Sequence, residues 1–256
     1  TSVSVLNINN PASPQELDNI EFELQPRLKG SQSATSASKK MILEGNILYL
    51  GQHDFGIRTI NVTGDNLVEI GSLNLVAQES NGFVLSDDYK GFLITSNRIF
   101  SVDLEDSPPA IKKSADLVNL PISTSRVSYA LSQNQDYLYN AMSSRKDIAV
   151  VNVTLWDDPK LSRIVALENP DSNPSCNCGI WRIKQFGGLV YALVVDEGFG
   201  VYGKKYYLYV YQPNGNNLNL LSKNLIYDFG SESGVGTYIG PVNLEITEDG
   251  KAILTA

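Results

Sequence analysis

The chain has 256 residues, is 42% hydrophobic and 19% charged, and carries a formal net charge of -8 with a sequence pI near 4.7. That balance argues against nucleic acid as a partner, because phosphate binding needs concentrated Lys and Arg, and the basic residues here gather only in isolated pairs such as Lys39-Lys40, Lys112-Lys113 and Lys204-Lys205. No apolar run reaches the ~18 residues of a membrane span; the longest, near Leu189 to Val195, is strand-sized, and no basic stretch followed by an apolar one precedes it, so a secreted form would be a processed one.

In chain order, Thr1 to Ile8 (TSVSVLNI) reads as a strand, the turn Asn9 to Pro14 follows, and Leu17 to Leu24 is a second run. Arg27 to Ser38 is small and polar and reads as a surface loop, and Lys40 to Leu43 as a strand. Gly45 to Ser72 (GNILYLGQHDFGIRTINVTGDNLVEIGS) then reads as three strands joined by the turns His53 to Gly56 and Thr63 to Asn66. The phrasing repeats. Gly82 to Leu85, Phe92 to Thr95, Ile99 to Leu104 and Ala110 to Leu117 form one unit; Val127 to Leu131, Tyr137 to Met142, Ile148 to Val153 and Leu161 to Leu167 form the next. A longer unit holds Ile180 to Gln185, Leu189 to Val195, an insertion from Asp196 to Lys205, Tyr206 to Tyr211 and Leu218 to Tyr227. The chain closes with Val242 to Thr247 and Ala252 to Ala256.

The second strands of these units begin at Ile47, Phe92, Tyr137, Leu189 and Ala252, spaced 45, 45, 52 and 63 residues apart, with 51 from Ala252 through the C-terminus round to Ile47. Four strands per unit at a period near 40 to 50 residues is the pattern of β-propeller blades. The last unit supplies two strands and the N-terminus two more, so one blade is shared between the two ends, which removes a sheet edge. The expectation is an all-β fold: a five-bladed β-propeller of four-stranded antiparallel blades, forming a single domain over residues 1–256.

The segments GIRTINVTGDNLVEIG, SVSVLNINNPASPQEL, RIFSVDLEDSPPAIKK and DIAVVNVTLWDDPKLS resemble the LVIVD repeat. That propeller motif runs glycine, alternating apolar positions, Asp or Asn, an apolar residue, Ser or Thr, and a turn ending in proline. The resemblance covers four of the five units and fades in YLYVYQPNGNNLNLL. It implies a cell-surface or secreted protein with no shared catalytic residues, so no site is carried over from it.

Asn61-Val62-Thr63 and Asn152-Val153-Thr154 are glycosylation sequons, each at the end of a third strand. The structural alternative is that the repeat needs a short polar side chain there to bond the next turn, as Asp103 would in VDLED. Cys176 and Cys178 are the only cysteines. One residue apart and without a nearby histidine they cannot close a zinc site, which leaves loop thiols or a tight local disulfide. Gly198 to Gly203 (GFGVYG) matches G-x-G-x-x-G, but strand sequence follows where a dinucleotide site needs a helix. It reads instead as a hairpin tip presenting Phe199 and Tyr202 as a contact surface.

Tyr202, Tyr206, Tyr207, Tyr209 and Tyr211 suggest one core face and one exposed aromatic strip. Asp87-Asp88 and Asp157-Asp158 lie in turn grammar, Asp196-Glu197 opens the long insertion, and His53, the sole histidine, sits in a turn. No cofactor or metal is implied. The reading is an extracellular or cell-surface, non-enzymatic propeller, glycosylated at Asn61 and Asn152, that engages a protein partner, glycans or its own copies as a filament subunit. The alternative is a glycoside hydrolase with paired carboxylates in the central funnel.

Overall fold

Short runs of β-branched and aromatic residues punctuated by Gly, Asn and Asp fold as hairpins, and among the described residues every regular element is an antiparallel strand. The computed structural model describes residues 2–22, 38–52, 56–74, 80–86, 90–95, 98–105, 109–116, 127–142, 146–170, 178–196, 205–228 and 243–255. The chain divides into two compact units, Thr1–Ser114 and Ala115–Ala256.

The first unit opens with the hairpin β1 (Ser2–Asn7) and β2 (Gln15–Glu21), a two-stranded sheet. A four-stranded meander follows, of β3 (Ser38–Glu44), β4 (Ile47–Gln52), β5 (Gly56–Thr63) and β6 (Asn66–Asn74). A second comprises β7 (Ser80–Leu85), β8 (Lys90–Thr95), β9 (Arg98–Asp103) and β10 (Ala110–Asp116). Thr63 pairs with Asn66, so Gly64 and Asp65 alone make the β5–β6 turn, and Gly64 takes the left-handed φ of 65° that such a turn requires.

The second unit holds the meander β11 (Val127–Leu131), β12 (Tyr137–Met142), β13 (Asp147–Asn152) and β14 (Lys160–Ala166). It continues with β15 (Cys178–Phe186), β16 (Leu189–Asp196), β17 (Lys205–Asn214) and β18 (Asn217–Asp228), and ends on the two-stranded sheet β19 (Asn243–Ile246) and β20 (Ala252–Thr255). The strands expected at the two chain ends form the hairpins β1–β2 and β19–β20.

Packing follows one rule in both units. The first strand of a sheet lies against the first two strands of the sheet before it: β7 against β3 and β4, and β15 against β11 and β12; β19 likewise meets β15. Third strands are covered on both faces, so β9 and β13 are buried through their central four residues, whereas β14, a fourth strand, is mostly exposed. Four-stranded meanders stacked face to face with their first strands adjacent are the packing of propeller blades.

Two buried clusters carry the second unit. Tyr139, Val150, Ile180, Ala192, Val194, Tyr207 and Tyr209 fill the space between the β11–β14 and β15–β18 sheets. Trp181, Leu193, Val195, Tyr206 and Leu244 join β15–β18 to the last hairpin. The exposed aromatic strip expected along β17 is thus corrected: Tyr206 on one face and Tyr207, Tyr209 and Tyr211 on the other are all buried, because this sheet is covered on both sides. Alternation along a strand reports two faces, and only the neighbouring sheets decide whether either is wet.

Candidate functional site

The hairpin β1–β2 sits on β4, β5 and β6 of the β3–β6 sheet. Val3, Val5 and Ile20 pack with Leu48, Leu50, Ile60 and Leu67 around the buried Phe22, and both hairpin strands lie against β6. Polar contacts fix this placement. The Leu67 N–H donates to Asp18 Oδ2 at 2.6 Å, while the Arg58 guanidinium lies 4.6 Å from the centre of the Phe22 ring and donates to Glu69 Oε1 at 2.7 Å. A cation held over an aromatic face and paired with a carboxylate in a partly dry setting is oriented by both.

The first strand, β3, is left open on the same face. Met41 and Leu43 on β3 stand opposite Leu50 and Leu48 in register, so they share the face that the hairpin covers further out, yet each is 60% exposed. Ile42, on the other face of β3, packs into the cluster shared with β7–β10. At the far end of the sequence, Leu244, Ile246 and Leu254 of β19–β20 turn toward the β15–β18 sheet, where Trp181 and Tyr206 meet edge to face with centroids 6.2 Å apart. The Lys184 ammonium donates to both oxygens of Glu245 at 2.9 Å and ties β15 to β19. The opposite side of this hairpin carries Ile253, which is 46% exposed. Each terminal hairpin packs one face against a neighbouring sheet, while the opposite faces pair Ser4 with Asn19 on β1–β2 and Glu245 with Ile253 on β19–β20. Sequence reading did not single out Met41, Leu43 or Ile253, because apolar alternation looks the same whether or not a neighbour covers it.

The sequon asparagines take the place that turn chemistry assigns them. Asn7, Asp103 and Asn152 each end a strand and accept with Oδ1 from the N–H two residues on, at 2.9, 3.1 and 3.0 Å; Asn61 accepts from the Thr63 hydroxyl. Both sequon side chains are half-buried. In the fourth unit the equivalent residue is Gln212, whose longer side chain bonds the Pro213 carbonyl instead. This is where the repeat pattern fades.

The remaining candidates scatter. Cys178 is buried and disulfide-bonded, while its only possible partner in the sequence, Cys176, lies outside the described residues. Phe199, Tyr202, His53, Asp87, Asp88 and Glu197 also lie outside them. Asp157 and Asp158 occupy a turn, closed by the Asp158 N–H on the Leu155 carbonyl at 2.9 Å, with Asp158 paired to Lys160 at 2.7 Å. Asp196 closes β16 opposite Cys178 and Lys205. On the described first strands the carboxylates are Glu44 and Glu245, the latter paired with Lys184. Among the described residues no three His, Cys, Asp or Glu side chains are grouped to hold a metal ion, and no helix is long and apolar enough to cross a membrane.

Among the described residues, buried side-chain polar atoms without partners are Thr59 Oγ1 in the first unit and those of three residues in the second. Asn140 on β12 is 2% exposed and neither end of its amide is bonded, and the hydroxyls of Tyr139 and Tyr211 are likewise unbonded. Burial, with the Tyr137 hydroxyl adding to it, pushes Tyr139 up to about 12. Burial, with Glu168 adding to it, raises Tyr211.

No family model and no curated protein matches the chain. Solved structures do. Saccharomyces cerevisiae Sqt1 is similar at 10% identity and a TM-score of 0.62, over 99% of this chain and 64% of that one. A 6-phosphogluconolactonase candidate from Bacteroides uniformis is similar at 13% identity and a TM-score of 0.60, over 99% of this chain and 70% of that one. The Neurospora crassa Pan2 WD40 domain is similar at 10% identity and a TM-score of 0.52, over 86% of this chain and 60% of that one. The chain thus spans less than two thirds of the length of Sqt1 and of the Pan2 domain. Likeness at such identity establishes the fold, a β-propeller, and carries nothing of activity.

Proposed function

We propose that this chain is an extracellular, non-enzymatic propeller of LVIVD-type repeats that serves as an interaction module, glycosylated at Asn61 and Asn152. The proposed architecture has five blades, the fifth shared between the β1–β2 and β19–β20 hairpins. The observation that supports this reading is the exposure of Met41 and Leu43 on β3, beside a hairpin that packs on β4, β5 and β6. Burying apolar surface is worth roughly 25 cal/mol per Å², so two adjacent side chains of this size, open to water on a flat sheet, form a seat for apolar strands. The Asx turn shared by Asn7, Asp103 and Asn152 supports the repeat assignment, and the pairing of Glu245 with Lys184 supports a structural role for that carboxylate.

A double variant tests the blade. With Met41→Cys and Ile253→Cys in one chain, a short bismaleimide yields a covalent product joining the two positions, detected as a cross-linked peptide pair by mass spectrometry. Absence of that pair contradicts the reading. For the modification, protein from a secretory eukaryotic host loses mass on enzymatic deglycosylation, and Asn61→Gln with Asn152→Gln removes the loss; an unchanged mass contradicts it.

A further inference from the structure

We infer that the bridge between Cys176 and Cys178 is a redox-sensitive pin at the start of β15, opened by exchange with a small thiol. Cys178 is disulfide-bonded and Cys176 is the only other cysteine of the chain, so the bridge spans a single residue, Asn177. A loop that short restricts the unfolded chain far less than the loops of about 15 residues and more over which disulfides act as staples. Two lengths define the local constraint that is left. Residues two apart in an extended strand stand about 6.6–6.8 Å apart at Cα, whereas bridged cysteines most often stand about 5.5–6 Å apart. The bridge therefore favours a bent chain over an extended one, and Cys178, at its C-terminal end, is the first residue of β15.

The strand it pins is the one on which the packing of the second unit converges. The Cys178 side chain is buried in the cluster between the β11–β14 and β15–β18 sheets, together with Ile180 and Ile183, while Trp181 joins the cluster shared with Leu244. Cys178, Gly179 and Ile180 pair with Asp196, Val195 and Val194 of β16, and the register then shifts, so that Trp181 is bulged and the ladder resumes at Arg182. The Arg182 guanidinium donates to the Trp181 carbonyl at 2.7 Å and holds the bulge. The bulge separates the three pairs next to the bridge from the rest of the ladder, and a release at Cys178 stops there. Opening takes two exchanges. A thiolate attacks one bridge sulfur, forms a mixed disulfide and frees the other cysteine; a second thiolate then displaces the remaining cysteine. The protein disulfide and two small thiols thus become a protein dithiol and one small-molecule disulfide, with two electrons passed to the protein.

The test keeps the full chain folded, without denaturant, in buffers of rising ratio of reduced to oxidised glutathione. Thiols are trapped with N-ethylmaleimide and counted by mass, and amide exchange is read on the same samples. Structural disulfides resist reduction by glutathione, so the expected result is distinctive: no label in the oxidised buffer, two labels per chain in the reduced one, and a midpoint between them. In the reduced protein, amides of residues 178–180 and 194–196 exchange at least several-fold faster, while those of residues 183–186 and 189–192 keep their rates. Cys176→Ser, which leaves the buried Cys178 in its cluster, shows the fast pattern in every buffer and no longer responds to glutathione. A bridge that is reduced only after the chain unfolds overturns the inference. So does reduction that leaves exchange at residues 178–180 unchanged, or that loosens β15 and β16 throughout.

Discussion

At the scale of single residues, Asn7, Asp103 and Asn152 each end a strand as the acceptor for the turn that follows, and Asn152 shows the expected consequence. Asn152→Ala removes the acceptor for the Thr154 N–H and is expected to cost about 0.5–1 kcal/mol, the range for a neutral bond at an exposed turn. Asn152→Asp keeps the acceptor and stays close to wild type. Urea midpoints at constant slope measure both, and an Asp variant as damaged as the Ala variant contradicts the turn role. The buried tyrosines predict a pH response. Tyr139, raised to about 12 in the fold, ionises near 10 when unfolded, so above pH 10 the unfolded state holds fewer protons than the folded one. Stability is full below pH 10 and falls as pH rises toward 12. Phenolate absorbance should therefore rise in two steps, the second coinciding with loss of near-UV circular dichroism; a single step with the fold intact contradicts it.

At the scale of elements, tightness between strands is the measurable property. A Cβ at Gly91 on β8 would stand 2.7 Å from Cε2 of the buried Phe83 and 3.3 Å from Cδ1 of Leu104, both members of one buried cluster of the close-packed kind that yields little. Gly91→Ala is expected to cost about 1–3 kcal/mol by overpacking; thermal unfolding measures it, and an unchanged midpoint contradicts the packing. Strands at this level were legible in advance, because their cause is local. Val127–Leu131 and Tyr137–Met142 begin and end where alternation and the Ser132 to Asp136 turn place them. The sequence ends this strand at Tyr211, but β17 runs on through Pro213 to Asn214. There Asn214 pairs with Asn217 and leaves Gly215 and Asn216 as the turn. Burial was not legible in the same way. The covering of Tyr206, the bareness of Met41 and the ring contact between Arg58 and Phe22 depend on which sheet lies alongside, and a sequence window does not contain that sheet. The sequons were legible as motifs, while their turn role needed the hydrogen bonds.

At the scale of the whole molecule, four-stranded antiparallel sheets repeat along the chain, and the proposed five-bladed ring has one blade shared between β1–β2 and β19–β20. The most direct measurement is amide hydrogen exchange read over β1 and β20. A shared blade predicts that amides of Ser2–Asn7 and Ala252–Thr255 exchange slowly, as those of the buried strands β9 and β13 do. Fast exchange over β1 and β20, with β9 and β13 protected, would contradict it.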